Sequence, residues 1–171
     1  MDQDAQTLHR AKLQAYRLLA CRSLTSSELR DRLARRGYAA TIIDEVLQQL
    51  ASEGYLNDRK LALDWARYRV QTKPLGRRRL AWELQRRGVP LDLIEEVLRE
   101  VYSECDEVMY AEQAARKRLR AKKLPRPVHE RQREARYLLR LGFDPDTVTA
   151  ALAIVYSLDD PYEIISDGDS C

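Results

Sequence analysis

The chain has 171 residues, 44% hydrophobic and 33% charged, with a formal net charge of +3. That is enough apolar material for one ordinary domain or several small repeated units, and too much for wholesale disorder. Six Gly, six Pro and one Phe are few for a turn-rich β protein, so the expected class is all-α.

The chain begins Met1-Asp2-Gln3-Asp4, which lacks the basic and apolar regions of a secretory signal, so a cytoplasmic location is expected. The longest apolar stretch, Ala150–Tyr156, is far short of the ~18 residues that a membrane helix needs. No membrane partner is expected. Cys21, Cys105 and Cys171 are scattered, odd in number and outside any CxxC pair, and read as reduced thiols rather than a metal site.

One phrase recurs along the chain: LARRG ending at Gly37, LQRRG ending at Gly88 and LLRLG ending at Gly142, at intervals of 51 and 54 residues. Ile42, Ile43, Val46, Leu47 and Leu50 follow Gly37 at offsets +5, +6, +9, +10 and +13, and Leu93, Ile94, Val97, Leu98 and Val101 follow Gly88 at the same offsets. The third copy fits with one inserted residue, as Val148, Thr149, Leu152, Ala153 and Tyr156. This is a threefold repeat, degenerate in its last member.

Each copy carries three helical patterns. The first copy has Leu8 to Leu19, Leu29 with Leu33, and Ile42 to Leu50; the second has Leu61 to Arg69, Leu80 to Arg87, and Leu91 to Val101; the third has Val108 to Leu119, Val128 to Leu141, and Pro145 to Tyr156. Thr25 with Glu28 has capping-box spacing, Asn57 or Asp58 can cap the next helix, and Asp144-Pro145 suits Ncap and N1. Gly37, Gly88 and Gly142 are placed to end the second helix of each copy in a left-handed conformation. Tyr38 and Tyr55, each directly after a glycine, are expected to pack across helix ends. The predicted units are repeat 1 over 1–56, repeat 2 over 57–104, repeat 3 over 105–157, and an acidic, disordered tail over 158–171. One unit's third helix buries five apolar side chains at about 1.5–3 kcal/mol each, against about 1–2 kcal/mol of backbone entropy per residue. Neighbouring helices must supply the difference, and the junctions between units are expected to be small and flexible.

Charge is uneven. Ser157–Cys171 holds five acidic residues and no Lys or Arg, which leaves residues 1–156 at +8. Arg116 to Arg140 carries eleven Lys or Arg against Glu130 and Glu134, +9 in 25 residues. A second cluster is Arg77, Arg78 and Arg79 with Arg86 and Arg87. Such density suits a polyanionic partner, although arginines before a C-terminal glycine also complement the helix dipole. Trp65, on the stripe of Leu61 and Ala62, reads as core. Trp82 lies off the Leu80–Leu84 stripe beside Arg78, Arg79 and Arg86, and is a contact candidate. The residues nominated for a partner or DNA are therefore Arg77, Arg78, Arg79, Trp82, Arg86, Arg87, Arg116, Lys117, Arg118, Arg120, Lys122 and Lys123. His9 and His129 stand apart, and there is no Gly-rich phosphate loop and no nucleophile–base set. A binding protein without cofactor or metal is expected, and no enzyme.

GYLND at residues 54–58, then Ala62, Arg69, Gly76, Glu83-Leu84 and RRGV at 86–89, resemble the RecX family pattern GYxxDxxFA, an Arg, then GxxxIxxELxxKG. The first copy agrees through Leu18, Leu19, Arg22, Glu28, Leu29, Leu33 and Gly37, and the third through Gly142 and Phe143. Leu61 stands where the family usually has Phe, Leu80 where it usually has Ile, and the acidic tail lies outside the pattern. The resemblance implies an elongated, curved protein of tandem three-helix repeats. It implies a monomer that binds RecA recombinase filaments on single-stranded DNA and limits their growth, ATP hydrolysis, strand exchange and coprotease activity. Direct binding of single- or double-stranded DNA stays open beside it. A duplex-binding helix-turn-helix transcription regulator and a helical-repeat scaffold for another protein are the rival readings.

Overall fold

The computed structural model describes residues 2–103, 106–120 and 128–157, with side chains from residue 5 onward and, in the last segment, from residue 131. Among these residues there are nine α-helices and no strand: α1 (Asp2–Cys21), α2 (Ser26–Ala34), α3 (Ala40–Ser52), α4 (Asp58–Thr72), α5 (Arg77–Arg86), α6 (Leu91–Ser103), α7 (Glu107–Arg120), α8 (Val128–Arg140) and α9 (Pro145–Ser157). The fold is all-α and built of tandem three-helix copies. The Lys122, Lys123 and acidic-tail expectations lie outside the described residues, as do Cys105, Cys171 and the His129 side chain.

Helix ends follow the local signals. Thr25 Oγ1 accepts the Glu28 N–H at 3.0 Å and Glu28 Oε2 accepts the Thr25 N–H at 3.0 Å, a complete capping box. Asn57 Oδ1 accepts the Lys60 N–H at 2.8 Å, so Asn57 caps α4, while Asp58 Oδ1 is spent on the Ser26 N–H at 2.8 Å. Gly37, Gly88 and Gly142 have φ of 84°, 72° and 88°. The residue after each of them donates its N–H to the buried leucine four before the glycine: Tyr38 to Leu33, Val89 to Leu84 and Phe143 to Leu138. This closes the last turn and turns the chain toward the third helix.

The third helices show one register. Ile43, Val46, Leu47 and Leu50 are buried in α3, Ile94, Val97 and Val101 in α6, and Val148, Ala151, Leu152 and Val155 in α9. All lie at offsets +6, +9, +10 or +13 from their glycines. The third copy therefore needs no inserted residue: Thr149 and Ala153, expected on the core stripe, are exposed, and Ala151 and Val155 are inside. The third copy looks shifted in sequence because position +5, Ile42 and Leu93 in the first two copies, is Thr147 in the third. Position +5 is a half-buried rim site in all three, so its polarity says little about register.

The described chain forms two compact units, one of the residues through Arg67 with Ala81–Arg99, the other of Tyr68–Leu80 with the residues from Glu100 onward. In the first, α1, α2 and α3 enclose Ala11, Ala15, Leu18, Leu29, Leu33, Val46 and Leu50. Tyr16 packs edge-on against Tyr55 at 5.1 Å between ring centroids, and both Tyr16 Oη and Lys12 Nζ donate to Glu53, tying α1 to the end of α3. In the second, α7, α8 and α9 enclose Ala111, Ala114, Leu138, Phe143, Val148 and Leu152, with Leu75 among them.

Each unit contains a joint between successive copies, built to one plan. In the first unit the N-terminus of α2 abuts the end of α5: Thr25 Oγ1 donates to the Arg87 carbonyl at 2.6 Å. Ser27 there lies where a Cβ on Gly88 would fall. In the second unit the N-terminus of α5 abuts the end of α8: Gly76 N–H donates to the Leu141 carbonyl at 2.9 Å and Arg78 N–H to the Gly142 carbonyl at 3.2 Å. Thr25 and Gly76 are 51 residues apart, and Arg87 and Leu141 are 54 apart, the repeat intervals themselves. The first junction sets a side-chain hydroxyl on a backbone carbonyl, and the second is a pair of backbone hydrogen bonds.

Candidate partner-binding surface

Helix α5 opens with Arg77, Arg78 and Arg79 and has no acid in its first turn. Three cations at a helix N-terminus oppose the dipole, and carboxylates of the third copy offset them. Glu107, 8% exposed, accepts the Arg77 backbone N–H at 2.9 Å and Arg77 Nε at 3.1 Å. Arg78 Nε lies 3.5 Å from Asp144 Oδ1. The Arg77 guanidinium stacks 4.8 Å from the Tyr102 ring, and Tyr102 Oη donates to the Leu75 carbonyl at 2.7 Å. Burial pushes the Glu107 carboxyl above the ordinary glutamate range, with Asp144 adding to the rise and the Arg77 N–H and guanidinium opposing it. Burial also raises the Tyr102 hydroxyl.

At the other end of α5, Arg87 is engaged inside the first unit. Its Nε donates to Glu28 Oε1 at 3.2 Å and its Nη2 to Glu28 Oε2 at 3.1 Å, a two-pronged pair. Burial pushes the Glu28 carboxyl up, but the Arg87 hydrogen bonds and the Thr25 N–H outweigh it and hold Glu28 below the ordinary range. The Arg87 guanidinium also lies 5.7 Å from the Trp65 ring. Trp65 is half-buried, contrary to the expectation of a core residue, because the inner stripe of α4 is Ala62, Leu63, Ala66 and Val70. Trp82 is 43% exposed, with the Arg86 guanidinium 4.8 Å from its ring.

On α7, Arg116 Nε pairs with Glu112 at 2.7 Å one turn back. Arg118 Nε pairs at 3.1 Å with Glu134, whose side chain is fully buried, and lies 4.3 Å from the Tyr137 ring. Lys117 and Arg120 are exposed. Of the nominated cations, Arg77, Arg78, Arg87, Arg116 and Arg118 pair with carboxylates of the same unit; the side chains of Arg78, Arg79, Arg86, Lys117 and Arg120 are exposed. Arg133, Arg136 and Arg140 on α8, outside the nominated set, are also all exposed. They occupy the offsets from the terminal glycine that Arg79, Trp82 and Arg86 have in the second copy. Among the described residues no group of His, Cys, Asp or Glu could hold a metal ion, and no helix is long and apolar enough to cross a membrane.

Residues 11–50 match the model of the RecX first three-helix domain, and residues 57–98 that of the RecX second three-helix domain. A regulatory protein RecX of Halorhodospira halophila is 40% identical over 139 residues, 81% of this chain and 84% of the relative. This chain belongs to the RecX family. A second RecX, from Pelodictyon phaeoclathratiforme, is 30% identical over 82% of this chain and 86% of its own length. The crystal structure of RecX from Lactobacillus salivarius superposes with a TM-score of 0.81 at 18% identity, over 90% of this chain and 99% of that one. A second RecX crystal structure superposes at 0.76 with 17% identity, over 90% of this chain and 73% of that one. At those identities the superpositions speak for the RecX fold, and the relatives for a regulatory protein.

Proposed function

We propose that this RecX-family chain binds RecA recombinase assembled on single-stranded DNA and limits filament growth, and with it ATP hydrolysis, strand exchange and coprotease activity. It does so by binding, without catalytic chemistry or cofactor of its own. The observation that carries the reading is the 40% identity with a regulatory protein RecX across 84% of that relative. The repeated joint supports it physically. Each joint links two successive copies within its own unit, and several weak contacts on linked copies add as avidity rather than as independent affinities.

The test is ATP hydrolysis by the recombinase on single-stranded DNA, with this protein titrated in and filament length followed in parallel. Loss of hydrolysis well below one protein per recombinase subunit is expected, because capping a growing end acts on the whole filament. Unchanged hydrolysis and length with the protein in excess would overturn the reading.

A further inference from the structure

We propose that the exposed face of α8 is a docking surface for the sugar–phosphate backbone of single-stranded DNA, with Arg133, Arg136 and Arg140 as its phosphate contacts. The three stand at i, i+3 and i+7 of one helix and are exposed, so they form one stripe about 10 Å long. Among the described residues none of the three has a carboxylate within ion-pair distance. This separates them from Arg116 and Arg118, whose charges are answered by Glu112 and Glu134. Glu134 is on α8 itself, but its side chain is buried and turned to Arg118, so it does not neutralise the outer face. The one hydrogen bond from the stripe, Arg136 Nε to the Gln132 carbonyl at 3.4 Å, is long and leaves the rest of that guanidinium to solvent.

The repeat supplies an internal comparison. At the same offsets from the terminal glycine the first copy has Glu28, Asp31 and Arg35 and the second has Arg79, Trp82 and Arg86. Only in the third are all three positions cationic, so the stripe is not a feature of the scaffold that each copy must carry. With the reach of the long arginine side chains a stripe about 10 Å long can meet about three successive phosphates of a single strand, and arginine forks suit phosphate oxygens. Leu139, exposed on α8 beside Arg136, gives apolar surface to an unpaired base; the bases of a duplex are turned inward, away from its backbone. The choice of a single strand agrees with the function proposed above, but the stripe is argued from this chain's own charges.

The experiment is fluorescence anisotropy of the full chain with a labelled oligothymidylate between about 50 and 200 mM salt, comparing wild type, R133Q/R136Q/R140Q and R133K/R136K/R140K. Each phosphate released on a single strand changes the slope of log K against log salt by about 0.7, so the Gln variant should lose about 2 from the slope and bind at least about tenfold more weakly at the low-salt end. The Lys variant should keep the slope. Circular dichroism of both variants should match wild type, since the three side chains are exposed. Absence of binding by wild type, equal slopes for wild type and the Gln variant, or tighter binding to the matching duplex with the same dependence on the three arginines would each overturn the proposal. The same variants in the ATP hydrolysis assay keep the two readings apart. If the Gln variant binds DNA as wild type does but no longer inhibits, the face is a recombinase surface and the DNA assignment fails, while the function proposed above stands.

Discussion

Gly76 and Gly142 meet backbone to backbone. A Cβ on Gly76 would overlap the carbonyl carbon and oxygen of Gly142 and the nitrogen of Phe143, at the same joint where Gly76 N–H donates to the Leu141 carbonyl at 2.9 Å. Gly37 offers a control. It has a φ of 84° but nothing within 4 Å of an added Cβ. Gly76→Ala should destabilise by about 3 kcal/mol through overpacking against immovable backbone, whereas Gly37→Ala should cost only about 1–2 kcal/mol of left-handed strain. Urea unfolding of the two variants reads the difference, and equal costs would show that the joint at Gly76 yields easily.

The corresponding joint of the first unit rests on a side chain. Thr25, fully buried, caps α2 by accepting the Glu28 N–H and also donates to the Arg87 carbonyl at 2.6 Å. Thr25→Ala removes both. The cap is worth about 1 kcal/mol, and the part-buried Arg87 carbonyl left without this donor costs about 1 kcal/mol more. Thr25→Ser keeps the hydroxyl and should lose under about 1 kcal/mol. A Ser variant as damaged as the Ala variant would place the contribution in the methyl group instead.

These joints mark the limit of what the sequence discloses. The glycine ends, the Thr25–Glu28 box and the cap of α4 were legible because each is written within a few consecutive residues. So was the threefold repeat, whose buried positions share offsets. The fates of the arginines were not, because Arg77 meets Glu107 across 30 residues and Arg87 meets Glu28 across 59, and no local pattern announces a pair at that range. Composition ranks Arg87 and Arg133 alike, whereas one is committed inside the first unit and the other faces solvent. Trp65 was misplaced for a related reason. Its spacing from Leu61 fits a core stripe, but the smaller Ala62 and Ala66 define the face that packs.

Glu28 and Glu107 should give opposite signatures in pH titrations of stability. Glu28 is held below the ordinary glutamate range, so the unfolded chain binds its proton more readily. The stability it contributes is present above the ordinary value and is lost as pH falls through the lower folded value. Glu107 is raised, so the folded chain holds its proton more readily, and stability falls as pH rises from the ordinary value through the higher folded one. Glu107→Gln should therefore flatten the decline on the neutral side of that range while keeping an acceptor for the Arg77 N–H. Glu28→Gln should instead flatten the loss on the acid side. Denaturant unfolding at a series of pH values checks both, and a steeper neutral-side decline in Glu107→Gln would reverse the assignment.

Glu134 occupies the position, eight residues before the terminal glycine, where the first two copies bury Leu29 and Leu80. Its partner Arg118, at 3.1 Å, came from the basic run of α7. Removing the guanidinium takes the Arg118 partner from a fully buried carboxylate, so Arg118→Ala should destabilise the third copy by about 3 kcal/mol. The double replacement Arg118→Met with Glu134→Leu restores the apolar pattern of the other copies and should be within about 1 kcal/mol of wild type or more stable. Unfolding of the single and double variants forms a cycle whose coupling measures the pair, and additive effects would mean that the pair contributes nothing as a pair. The distinction matters for binding experiments on this face. Charge reversal at Arg118 perturbs folding before it perturbs any partner, whereas Lys117 and Arg120, exposed on the same helix, can be reversed with the third copy intact.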